Sequence, residues 1–139
     1  MKKIVFISIL IFLLNPFTMR AQNQIEKHQT GGIVFLRTMQ LEKIDSFYID
    51  EVGCRLWLDQ GGCRIYQHGN MLLGFCDRDT PDTEGMITFY YASREEVDAM
   101  YEKFNSIADE PPKENEKYKI YHFFAKDPEG RAIEFQYFW

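Results

Sequence analysis

"KDPEGRAIEFQYFW" (126–139) joins a tight turn to an alternating strand. Asp127-Pro128-Glu129-Gly130 has the composition of a β-turn. After it, Ile133, Phe135 and Tyr137 alternate with Glu134, Gln136 and Phe138, the period-two pattern of a strand with two unlike faces. Glu134 is a carboxylate in the middle of an apolar run. At this point it reads equally as a metal ligand, a catalytic base, a solvent-facing residue or the remnant of a lost site. The turn also sets its neighbours. Folding "YKIYHFFAK" (118–126) back as an antiparallel strand places Phe124 opposite Glu134 and His122 opposite Gln136. His122, Phe124, Glu134, Gln136 and Phe138 then share one face.

Upstream of this hairpin, "MITFYYA" (86–92) reads as a strand. "SREEVDAMYEKFNSI" (93–107) opens with Ser93 and Glu96, a capping box. Its Val97, Met100, Tyr101 and Phe104 make the apolar face of a helix. The polar loop 108–118 contains no legible strand. The first half of the chain repeats this order. "GIVFLRT" (32–38) is a strand, and "QLEKIDSFYIDEVG" (40–53) is an amphipathic helix with Leu41, Ile44, Phe47 and Tyr48 inward and Gly53 at its end. "CRLWLD" (54–59), "CRIYQ" (63–67) and "MLLGFCD" (71–77) are strands joined by glycine turns. Residues 78–85 form a linker. Ile33 to Phe47 and Met86 to Met100 are both fourteen steps along the chain. The spacing predicts an internal duplication, repeat 32–77 followed by repeat 86–138, within one domain.

The 139 residues carry a net charge of −5 with a pI near 5.2, so nothing attracts a polyphosphate and nucleic acid is excluded as a partner. No P-loop, GxGxxG, CxxC or HExxH occurs. Residues 1–21, with "MKK" ahead of the apolar run "IVFISILIFLL" (4–14), have the layout of a secretory signal peptide rather than a membrane span. Residues 22–30 read as a linker. Export to the periplasm is therefore expected, the alternative being a cytoplasmic protein whose real start lies near Met19. Three cysteines, Cys54, Cys63 and Cys76, leave at least one thiol unpaired, which favours a reducing compartment and argues against export. Small buried hydrophobes on strands are the expected role for all three.

"FYIDEVG" (47–53) after the first helix and "DPEGRAIEF" (127–135) before the last strand resemble the Phe-Tyr-x-x-x-Leu-Gly and Asp-Pro-Asp-Gly-Asn-x-x-Glu-Phe motifs of the vicinal oxygen chelate superfamily, the glyoxalase and bleomycin-resistance group. The resemblance covers residues 31–139. It implies an α+β fold of duplicated βαβββ modules whose mixed sheets curl around a cavity. It also implies a homodimer. In the family's metal enzymes four side chains meet in that cavity. Carried over, they fall on Ile33, Leu73 (or Gly74, if the alignment of "GNMLL" on "GRAIE" slips by one), Met86 and Glu134. Isoleucine and leucine donate nothing to a metal, and methionine sulfur is soft. The resemblance therefore implies that the metal site is mostly lost and that no metal or other cofactor is held.

By the same resemblance, the face carrying His122, Phe124, Glu134 and Gln136 lines the cavity. A carboxylate, an imidazole and an amide among aromatics suit a small, partly aromatic molecule. Glu134 is the candidate acid or base. Trp57 and Tyr66 are further candidate ligand contacts; Phe89 and Tyr91 also lie on strands, where core packing competes with stacking. Arg37, Arg55 and Arg64 sit on strands and suit either an anion or solvent. His68 is a turn residue and His28 a linker residue. The expected function is metal-free binding of a small molecule. The alternative is a glyoxalase-like lyase or isomerase, or a dioxygenase, with a divalent metal on a non-standard set such as His122, Glu134 and Gln136.

Overall fold

The computed structural model describes residues 30–139. The expected leader over 1–21 and nearly all of the linker over 22–30, His28 included, lie outside them. The element order is a duplication. The first unit holds β1 (Val34–Thr38), helix α1 (Leu41–Ser46), β2 (Arg55–Asp59), β3 (Cys63–His68) and β4 (Met71–Asp77). The second holds β5 (Met86–Tyr91), α2 (Arg94–Phe104), β6 (Lys113–Asn115), β7 (Ile120–Lys126) and β8 (Ala132–Phe138). Each unit forms its own mixed four-stranded sheet, in the orders β1-β4-β3-β2 and β5-β8-β7-β6. In both, the first strand runs parallel to the last and the other neighbours are antiparallel. No helix among the described residues is long and apolar enough to cross a membrane.

Two elements differ from the sequence reading. The helix expected over 40–53 is α-helical only over Leu41–Ser46 and continues as a π-helical turn, Phe47–Glu51. The wider turn closes with Val52 N–H donating to the Phe47 carbonyl at 3.0 Å, and Gly53 then takes φ +87° to end it. Tyr48, on that turn, is fully buried against Phe75. The second difference is β6. "KEN" (113–115) offers no apolar alternation, so its pairing with His122, Tyr121 and Ile120 on β7 is a backbone contact that side-chain pattern cannot reveal. Helix α2 follows the reading: Ser93 Oγ accepts from Glu96 N–H at 3.3 Å, and the Glu96 carboxylate accepts from Ala92 N–H at 2.7 Å.

Each sheet buries the face turned toward its helix. In the second unit Phe89, Phe123, Ile133 and Phe135 meet Val97, Met100 and Phe104; in the first, Tyr66, Leu73 and Phe75 meet Ile44 and Tyr48. These residues form a single cluster, so the two units share one core on their helix sides. Phe135 is its centre, stacked on Phe89, Phe104 and Phe123.

A buried ionic network ties the units together. Arg131, only 2 % exposed, donates to Asp127 at 2.7 Å and to Glu129 within its own turn. It also donates to the carbonyl of Arg37 at 2.6 Å in the first unit and to the carbonyl of Asp82 in the linker. Asp127 further accepts from Tyr48 Oη, and Glu129 accepts from Met39 N–H at 2.7 Å. Every member is satisfied, the condition under which a buried charge is tolerated.

Candidate functional site

The odd-even alternation of the second sheet decides which side chains can meet a ligand. Odd-numbered residues on β7 and β8 face α2, so the even-numbered ones face away from it. The register sets Phe124 opposite Glu134 and His122 opposite Gln136. On β5, Thr88 pairs with Glu134 and Tyr90 with Gln136. The site therefore has a polar centre of Thr88, His122, Glu134 and Gln136. Phe124 borders it, together with the exposed Met86, Tyr90 and Phe138.

That centre is connected. Glu134 Oε1 lies 2.6 Å from His122 Nδ1, and Glu134 Oε2 accepts from Thr88 Oγ at 2.9 Å. His122 and Glu134 are both 5 % exposed, and Gln136 is buried as well. The Phe124 ring stands edge-on to the imidazole, centroids 4.9 Å apart. Both oxygens of the carboxylate are thus engaged, one by the Thr88 hydroxyl and one by the Nδ1 edge of His122. Thr88 was missed in the sequence reading. The available signal was its polarity within "MITFYY", on the parity shared with Met86 and Tyr90.

The first unit presents the same positions with different chemistry. Phe35 pairs with Gly74 as Thr88 pairs with Glu134, and Cys63 pairs with Cys76 as His122 pairs with Gln136. Gly74, not Leu73, is thus the equivalent of Glu134; Leu73 lies in the helix-side core. A side chain at Gly74 has no room, since its Cβ would fall 2.4 Å from the Phe35 ring. The ring occupies the space that a fourth ligand would need.

These residues do not fit the metal that the resemblance brings with it. Ile33, Gly74 and Met86 supply no hard donor, and both oxygens of Glu134 are engaged by Thr88 and His122. The non-standard set of His122, Glu134 and Gln136 is adjacent, but a metal there would have to break the bond between His122 and Glu134.

The remaining candidates are placed elsewhere. Tyr66 faces helix α1, fully buried, its hydroxyl donating to Asp45 at 3.0 Å. Trp57 lies at a register shift in β2, half-buried. Phe89 and Tyr91 are on the α2 side of β5, where both stack on Phe135. Arg37 pairs with Asp82 at 2.6 Å, Arg64 with Glu42 at 2.7 Å, and Arg55 with Gln67. His68 packs edge-on against Phe89, and burial lowers its pKa. The cysteines correct the expectation of three buried thiols: Cys63 and Cys76 form a disulfide across β3 and β4. Cys54 alone is free, buried, with burial pushing its pKa up to about 12. At that value it is neither nucleophile nor easy oxidation target.

No protein-family model matches the chain, and no curated protein matches it. Solved structures do. It is similar to a glyoxalase/bleomycin resistance protein/dioxygenase family enzyme from Burkholderia phytofirmans PsJN, at 17 % identity over 77 % of this chain and 97 % of that one, with a TM-score of 0.67. A lactoylglutathione lyase from Agrobacterium tumefaciens is 19 % identical over 81 % of this chain and 95 % of that one, TM-score 0.63. A genomically encoded fosfomycin resistance protein from Listeria monocytogenes is 15 % identical over 78 % and 93 %, TM-score 0.65. The fold is that of the glyoxalase/bleomycin resistance/dioxygenase proteins, and it is α+β.

Proposed function

We propose that this chain is a metal-free binding protein for a small, partly aromatic molecule, held on the face of β5, β8 and β7 turned away from α2. One observation carries the reading: the carboxylate at the fold's metal-ligand position spends both oxygens on Thr88 and His122, and its counterpart positions hold Ile33, Gly74 and Met86. What is left for a ligand is a polar centre framed by Phe124, Tyr90 and Phe138, a common composition for small-molecule sites. The homodimer belongs to the same proposal, supported by exposed Val34 and Phe35 on edge strand β1 and exposed Met86 and Tyr90 on edge strand β5. Export does too. The disulfide removes the cysteine argument against it, because two of the three thiols pair and the third is shielded.

The test is affinity capture. The protein is dialysed against small-molecule extract of its host and weighed intact by native mass spectrometry. An organic adduct is expected on the wild type. Glu134→Gln keeps the side chain's shape but removes the charge that orients His122, so retention of that adduct should fall about tenfold to a hundredfold, or roughly 1.5–3 kcal/mol. Equal retention by the variant would move the binding role to the aromatic frame.

A further inference from the structure

The disulfide of the first unit lies on an open face. Arg64 and Tyr66 on β3 face helix α1, and Leu73 and Phe75 on β4 face the same way. Cys63 and Cys76 have the opposite parity, so their bridge stands on the other side of the sheet, half-buried. The bridge is not what holds β3 against β4. Six residue pairs join these strands, from Cys63 opposite Cys76 to His68 opposite Met71. Just beyond the bridge, Asp77 N–H donates to the Gly62 carbonyl at 2.8 Å. With the bridge broken, this ladder still sets the two thiols face to face, ready to rejoin.

The two ends of the bridge are not equally open. A thiolate attacks a disulfide along the S–S axis, from the side away from the sulfur that leaves. Attack on Cys76 comes from β1, where Arg37 pairs with Cys76 and is anchored to Asp82 and Thr80. Attack on Cys63 comes from the side of β2, which has ended at Asp59. Only the exposed turn of Gln60, Gly61 and Gly62 stands there. The other end leads to the link between the units. Strand β4 ends at Asp77. The segment after it is pinned to β1 by Arg78 N–H on the Thr38 carbonyl at 2.8 Å and Asp82 N–H on the Arg37 carbonyl at 3.1 Å. Asp82 in turn gives its carbonyl to Arg131.

We propose that the Cys63–Cys76 bridge is a reversible redox switch, opened in the folded protein by a dithiol reductant that attacks Cys63, and that opening it slackens the segment carrying Asp82. One thiolate of the reductant forms a bond to Cys63 Sγ. The bond between the two cysteines breaks, and its electron pair leaves on Cys76 Sγ, which takes up a proton. The reductant's second thiolate then attacks the reductant sulfur of the mixed disulfide, and that electron pair leaves on Cys63 Sγ, which is protonated in turn. Two electrons pass to the protein, and the reductant ends as its own disulfide. A monothiol stalls at the first step, because Cys76 stays opposite and displaces it.

The probe is dithiothreitol, added to the native protein. Free thiols are alkylated at intervals and located by peptide mass spectrometry. Cys54, buried in the core, reports unfolding. Cys63 and Cys76 are expected to be alkylated at least about tenfold faster than Cys54. Oxidised glutathione should then restore the bridge. With reduced glutathione, a monothiol, acid quenching should catch the mixed disulfide on Cys63. Hydrogen exchange at the Arg78 and Asp82 amides should quicken about tenfold on reduction while that of β8 does not change. Alkylation of all three cysteines at one rate means that reduction needs unfolding, and overturns the switch. Resistance of Cys63 and Cys76 to dithiothreitol, or a bridge that does not reform, overturns it as well. A mixed disulfide on Cys76 overturns the direction of attack, and unchanged exchange at Arg78 and Asp82 overturns the coupling to the segment.

Discussion

Arg131→Met should lower the stability of the folded protein by about 3–5 kcal/mol, the usual cost of removing one partner of a buried ion pair. The side chains of Asp127 and Glu129, almost wholly buried, would keep their charges without the guanidinium that offsets them. The carbonyls of Arg37 and Asp82 would each lose the guanidinium as a donor, Arg37 keeping the bond from Asp82 N–H. For a domain of this size the melting temperature should drop by roughly 10–25 °C in a calorimetric scan. The effect should depend on pH. Burial works to raise the pKa of Glu129, but Met39 N–H, Thr38 and Arg131 together hold it below the ordinary carboxylate value. A carboxylate depressed in the folded state contributes stability that is full above its unfolded pKa and lost as pH falls through the folded one. The gap between wild type and variant should thus narrow in acid. A gap that is small at neutral pH, or unchanged in acid, would remove Arg131 from its role as the link between the units.

Breaking the bond between Cys63 and Cys76 is the second large effect. It closes a loop with a sequence separation of 13. On the chain-entropy account, restoring that freedom to the unfolded state costs about 3 kcal/mol, or roughly 10–20 °C in melting temperature. Thermal scans with and without a thiol reductant, and of Cys63→Ser/Cys76→Ser, should agree on this loss. The buried Cys54 should remain unlabelled by a thiol reagent until the protein unfolds. Superimposable scans with and without reductant would show that the two thiols are not joined in the folded protein.

The duplication and the register of the last hairpin were legible in the sequence because they rest on turns. "DPEG" fixes Phe124 opposite Glu134, and period two does the rest. The same logic reaches the disulfide. A two-residue turn at Gly69–Asn70, with Gly69 at φ +55°, sets His68 opposite Met71 and, counting outward, Cys63 opposite Cys76. Aligning the two repeats by their turns erred by one residue at Leu73. The β7–β8 turn contains three residues more than the β3–β4 turn, so equal distance from a glycine is not equal position in the sheet. Gly74 becomes the equivalent of Glu134 only through its pairing with Phe35. Strand β6 was illegible because charged side chains on an edge strand carry no pattern. The burial of Arg131 was illegible because its partners, two backbone carbonyls from distant segments among them, have no sequence signature. Thr88 required knowing that β5 runs parallel beside β8, a non-local fact.

The central claim is that the carboxylate at the metal-ligand position serves His122 rather than a metal. Elemental analysis of protein purified from its own host, without chelator, tests it most directly. The account predicts zinc, nickel, iron and manganese all far below one per chain, unchanged in Glu134→Gln. About one such ion per wild-type chain, lost in Glu134→Gln, would contradict it.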